Sequence, residues 1–178
     1  MNILASEFFD QLEKAATKEA KLKLLSQNNN NLVRTLLRFN FDYNIKFLLP
    51  EGAPPYKVDK DVPAGYEKTK LQLEMRRFYL FIKPDVNINK LKRERLFIEM
   101  LEGLHWTEAE DFILIKDKNL TTKYKTITHE LISEAYPGLL PPPLPKEPVP
   151  KKSSTKKSTK GSLTSLEKNS QLQEQATG

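Results

Sequence analysis

A chain of 178 residues with 38% hydrophobic and 29% charged side chains has room for one core of ordinary size, since domains commonly take about 100 to 200 residues. No run reaches the roughly 18 consecutive apolar residues of a spanning helix, and cysteine is absent, which excludes disulfides, thiolate nucleophiles and sulfur-ligated zinc. The net charge of +6 is uneven: residues 141–178 hold seven Lys against three Glu, a balance of +4 that leaves only +2 for residues 1–140.

The opening "MNILASEFFDQLEKAATKEAK" sets acids beside its apolar residues, unlike a signal peptide, so a cytoplasmic protein is expected. Leu4, Phe8, Leu12 and Ala15 recur at helical spacing, and Thr17 offers a cap for a second helix carrying Ala20, Leu24 and Leu25. The run from Asn28 to Asn31 competes for backbone hydrogen bonds and interrupts the pattern, which Val33, Leu36 and Leu37 resume up to about Phe39. Asp42 is placed to cap one more turn through "YNIKFLL", which Pro50 would stop.

Pro54, Pro55, Pro63, Gly52 and Gly65 make residues 50–68 an irregular connection, longer than the roughly 12 to 15 residues of ordinary loops and so a candidate for function. Its apolar residues Leu49, Tyr56, Val58 and Tyr66 favour packing on the domain over binding, and Pro54, Pro55, Tyr56 and Tyr66 are its candidate protein contacts.

Thr69 is expected to cap a long helix with Leu71, Met75, Phe78 and Ile82 on one face, ended by Pro84. A second long helix over 87–102, with Ile88 and Leu91 on its early face, should be the most buried and close at a left-handed Gly103. Thr107 and Glu110 have capping-box spacing, predicting a helix from Glu108 that buries Ala109, Phe112 and Ile113, although "FILI" alone would also suit a strand. A last helix from Thr128 should bury Leu131, Ile132 and Ala135 before Pro137. The fold expected is all-α: a helical domain over 1–139, then a disordered tail over 140–178, first Pro-rich and then Lys/Ser/Thr-rich.

Few constellations carry chemistry. In the tail, Lys151, Lys152, Lys156, Lys157 and Lys160 could neutralise phosphates of DNA or RNA without reading sequence; a solubilising tail is the blander account. The proline section lacks a basic residue where a polyproline ligand usually carries one, so it reads as a spacer. "HELIS" at His129 begins like a zinc-protease motif but has Ser133 where the second ligand belongs, and His105 is far off in sequence, so no metal or cofactor is expected. Glu108, Glu110 and Asp111 read as first-turn residues that complement a helix dipole.

A helix-turn-helix over residues 108–136 fits poorly, because the gap from Asp117 to Thr128 is too long unless Leu120 to Tyr124 forms its own turn. The strip Lys90, Lys92, Arg93 and Arg95, with Arg76 and Arg77 as possible neighbours, is most simply a solvated helix face, since Glu94 and Glu99 sit within it. No phosphate loop, nucleophile elbow or dinucleotide fingerprint occurs, which favours a non-enzymatic role.

Three strings, "NFDYNIKFLLPEGAPPY" at 40–56, "LFIEMLEGLHWTEAE" at 96–110 and "KYKTITHELISEAYPGL" at 123–139, resemble a family of small proteins of unassigned activity from large contractile-tailed (myovirus) phages, including cyanophages. The likeness covers most of residues 18–139; the tail exceeds it. It implies an accessory protein acting in the cytoplasm of an infected bacterium, or a minor virion component, that binds a host or phage protein and has no membrane partner. A nucleic-acid-associated protein using its basic tail is the alternative.

Overall fold

The computed structural model describes residues 3–143; residues 1–2 and 144–178, and with them the five tail lysines and most of the expected tail, lie outside the described residues. Within that span the chain forms helices only: α1 Ala5–Lys14, α2 Lys18–Gln27, α3 Asn31–Phe41, α4 Leu71–Glu74, α5 Tyr79–Ile82, α6 Lys90–Gly103, α7 Trp106–Lys116, α8 Leu120–Lys123 and α9 His129–Ala135. The expected all-α architecture of short helices around one long irregular connection is what forms, and "FILI" lies inside α7.

Many helix starts follow from local chemistry. Thr17 accepts from the Ala20 amide at 3.2 Å, Asn30 from Val33 at 2.9 Å, Asn89 from Lys92 at 2.7 Å and Thr128 from Leu131 at 3.3 Å, each satisfying an amide that the helix itself leaves open. The asparagine run that interrupts the periodicity therefore also starts α3.

The core forms where these helices lay their apolar faces on α7, which packs against α1, α3, α6 and α8. Phe112 is its hub: Phe78 stacks on it at 4.8 Å between ring centroids, while Phe47 and Phe97 approach at 6.1 and 6.0 Å. This corrects the expectation for the most buried helix. Helix α6 leaves Leu91 77% exposed, whereas α7 buries even Glu108, Asp111 and Lys116.

Other expectations also give way to tertiary contacts. The helix expected over 70–83 breaks into α4, a 3₁₀ turn over Met75–Arg77, and α5; the tighter turn brings Leu71, Phe78 and Phe81 all inward and leaves Leu73 and Tyr79 outside. Thr69 does not cap it: Lys70 stands at the N-cap, and the Thr69 hydroxyl donates to Glu74 at 2.8 Å. Asp42 ends α3 and starts a single tight turn rather than a further helical turn through 43–49: its carbonyl accepts from the Ile45 amide at 3.2 Å, and its carboxylate accepts from the Asn44 amide at 2.9 Å and pairs with Arg38. Gly103 is the last residue of α6 and lacks a positive φ; a Cβ there would meet Thr69 Cγ2 at 2.9 Å, so close approach explains the glycine.

Candidate functional site

Residues 42–70 run as a strap, tied to the helices at several points. The Leu48 amide donates to the Phe81 carbonyl at 2.8 Å, Lys116 Nζ donates to the Pro50 carbonyl at 2.8 Å, and the Gly52 amide donates to Asp117 at 3.0 Å. Further on, the Lys57 amide donates to Glu102 at 3.0 Å and the Thr69 amide to the Gly103 carbonyl at 2.9 Å. The strap thus passes from the C-terminal end of α7 to the corner where α6 hands over to it. At its start, Lys118, the one non-glycine described residue with positive φ (59°), donates to the carbonyls of Phe39 and Asp42 at 2.6 and 2.9 Å and satisfies the end of α3.

The strap packs on the domain unevenly along its length. Tyr56 is half-buried against the core and Pro54 is half-buried beside α6, while Pro55 is exposed, Val58 is 45% exposed and Tyr66 80%. The four candidate contacts do not form one patch: Pro54 and Pro55 border a cleft with Phe97 and Ile98, whereas Tyr56 and Tyr66 border another at the α6–α7 corner.

The corner cleft has a volume of about 120 Å³ and is walled by Tyr56, Tyr66, Glu67, Glu102, His105 and Trp106. His105 caps α7, its Nδ1 accepting from the Thr107 amide at 3.4 Å, and so fixes the neighbouring Trp106. The capping box expected from Thr107 and Glu110 therefore does not form; the Thr107 hydroxyl pairs with His105 Nδ1 at 2.7 Å and with Ser6 at 2.8 Å. Lys60, on the strap, holds its ammonium 5.1 Å from the centre of the Trp106 ring. Burial pushes the Tyr56 hydroxyl up, and the charge of Glu110 adds to this, so it stays protonated.

Glu67 stands out. Its side chain is 0% exposed, yet Oε1 has no hydrogen-bond partner among the described residues; Lys70 Nζ lies 3.4 Å away, and Oε2 accepts from the Gly65 amide at 2.6 Å. Burial pushes its carboxyl up, but the backbone amides of Glu67 and Gly65, together with Lys70, outweigh this and hold it below the usual carboxylate range. Sequence reading did not single out Glu67, Trp106 or Lys60, and it weighed His105 as a metal ligand; the structure places His105 at the start of α7. The legible signal was a lone tryptophan inside "GLHW", next to a long irregular loop.

The other constellations are absorbed by the fold. Glu108 accepts from the first helical amides of α1 and α4, Ala5 at 2.9 Å and Leu71 at 3.3 Å, so it joins three helix N-termini rather than serving its own dipole alone. Asp111 accepts from Lys123 at 2.7 Å and Tyr124 Oη at 2.9 Å. His129 uses one ring nitrogen on the Pro141 carbonyl and the other on Ser133, at 3.0 and 3.3 Å. Among the described residues no three metal-ligating side chains cluster, and no helix is long and apolar enough to cross a membrane. Arg93 leaves the basic strip to donate to the Leu80 carbonyl at 2.8 Å. Residues 120–123 do form their own turn, α8, but a single turn is a poor reading helix, and α9 buries Leu131 and Ile132 against α2.

No curated protein and no solved structure matches this chain. A family of unknown function, DUF6433, matches over residues 8–122, a span that contains the strap and the corner cleft; the chain belongs to this family.

Proposed function

We propose that the protein is a non-enzymatic accessory protein of a phage that binds another protein, host or viral, and that the strap with its corner cleft is the contact surface. The phage setting, in the cytoplasm of the infected bacterium or in the virion, rests on the resemblance of the three strings at 40–56, 96–110 and 123–139. The binding role rests on one observation: between its ties at Lys57 and Thr69 the strap presents Tyr66, 80% exposed, at the cleft that Trp106 also walls, where a large aromatic side chain is available as an anchor.

The test is co-purification from infected cells with the tagged full chain and its Tyr66→Ala variant, with identification by mass spectrometry. A stoichiometric partner recovered by the wild type and reduced about tenfold or more by the variant supports the reading. A partner recovered equally by both moves the contact elsewhere, and no partner sinks it.

The second reading, attraction to DNA or RNA, is favoured by Lys151, Lys152, Lys156, Lys157 and Lys160. It predicts retention that falls steeply with salt and disappears when residues 141–178 are deleted.

A further inference from the structure

The corner cleft departs from how a folded chain usually treats its polar groups. A carboxylate as covered as Glu67 normally has both oxygens satisfied, because an unmet acceptor in a low dielectric costs what water would have supplied. Oε2 is satisfied by Gly65, and Oε1 is left with only Lys70, at ion-pair distance but without hydrogen-bond geometry, on a side chain 54% exposed.

The surrounding groups indicate what such an acceptor suits. Aromatic walls offer negative ring faces, and Trp106 already holds a cation, the Lys60 ammonium from the chain itself, at 5.1 Å. Charges of both signs meet there: Glu67 is enclosed and ionised with Lys70 paired to it, Asp59 lies in the wall, and Glu102 is held by the Lys57 amide. The lysines at the rim, Lys57 and Lys68, are exposed and can carry their ammonium groups outward on flexible stems. At about 120 Å³ the cleft is well below the roughly 300–1,000 Å³ that encloses a drug-sized ligand, yet it has room for the end of one side chain.

We propose that this cleft receives the cationic head of a lysine or arginine side chain from the protein partner, placing it against the Trp106 ring in place of Lys60 and within the field of Glu67. The inference rests on the strap being the contact surface; it adds the chemistry of what enters. Lys60 then acts as a resident plug that swings into solvent when the guest arrives, so the site is occupied by a cation in both states and Trp106 is never left bare.

The test uses the single tryptophan as its reporter. The full-length protein is titrated with Nα-acetyl-lysine methylamide and Nα-acetyl-arginine methylamide, with the uncharged norleucine analogue as control, and the Trp106 indole N–H is followed by NMR. A saturable shift with either cationic amide and none with norleucine is expected. Glu67→Gln, which keeps an acceptor for Gly65, should weaken it about tenfold or more, and Lys60→Met should tighten it severalfold. A response shared by norleucine, an indole that ignores both cations, or an undiminished response in Glu67→Gln overturns the proposal; unchanged amide spectra away from the corner show that each variant is folded. A chain that captures a partner through Tyr66 while its indole ignores both amides loses this inference and keeps the protein-binding reading. A saturable cation response with no partner from infected cells does the reverse.

Discussion

The junction around Glu108 and the corner around Glu67 both enclose a glutamate, and they differ in what the carboxylate is left to do. Glu108 gives one oxygen to the amide that opens α1 and the other to the amide that opens α4, so its capacity is absorbed by the fold. Glu67 gives one oxygen to its own strap and leaves Oε1 without a hydrogen bond. Both side chains are covered, but their carboxyls shift in opposite directions, Glu108 up and Glu67 down. They also differ in hydrogen bonding, for both Glu108 oxygens are used between helices, whereas Glu67 Oε1 has only the Lys70 ammonium at ion-pair distance.

That contrast can be broken most severely in the helical core. Phe112→Ala removes the ring on which Phe78 stacks and should destabilise the fold by about 3–5 kcal/mol, read as a shift of the urea midpoint. If it costs under about 1 kcal/mol, the core is not organised around this ring. Gly103→Ala drives a methyl toward Thr69, where the strap rejoins α6, and should cost about 1–3 kcal/mol; thermal unfolding of the variant measures it. A neutral result would mean that the strap yields at that point.

The two kinds of acid also differ in pH response. Burial pushes the Glu108 carboxyl up, against the Ala5 and Leu71 amides that lower it, so its folded form holds a proton more readily than its unfolded form. Wild-type stability should therefore rise relative to Glu108→Gln as pH falls from above the raised value toward the ordinary carboxylate range. Asp42 carries the opposite sign: burial raises its carboxyl, but the Asn44 amide and Arg38 outweigh this and lower it. The advantage of wild type over Asp42→Asn should be present above the ordinary range and vanish as pH falls through the lowered value. Melting temperatures of the three proteins from pH 7 to pH 3 decide both slopes. The smallest effect is expected at the strap surface, where Tyr66→Ala should change stability by under about 0.5 kcal/mol by the same thermal assay while reducing partner capture. A large stability loss would make Tyr66 a packing residue.

Sequence patterns located most of the helical segments, Thr17 as a cap and Thr128 as the start of the last helix, because periodicity and capping are settled by residues within about four positions of each other. The irregular strap was legible for the same reason, from its prolines and glycines. Only the tertiary structure decided that 70–83 would break to bring Phe78 onto Phe112, that Arg93 would turn to the Leu80 carbonyl, and that Gly103 would meet Thr69. It alone gave Glu108 the amide of Ala5, 103 residues away, and set Lys60 over Trp106 beside an incompletely paired Glu67. Those contacts join residues distant along the chain, and no local pattern records which groups the fold will bring together or leave unpaired.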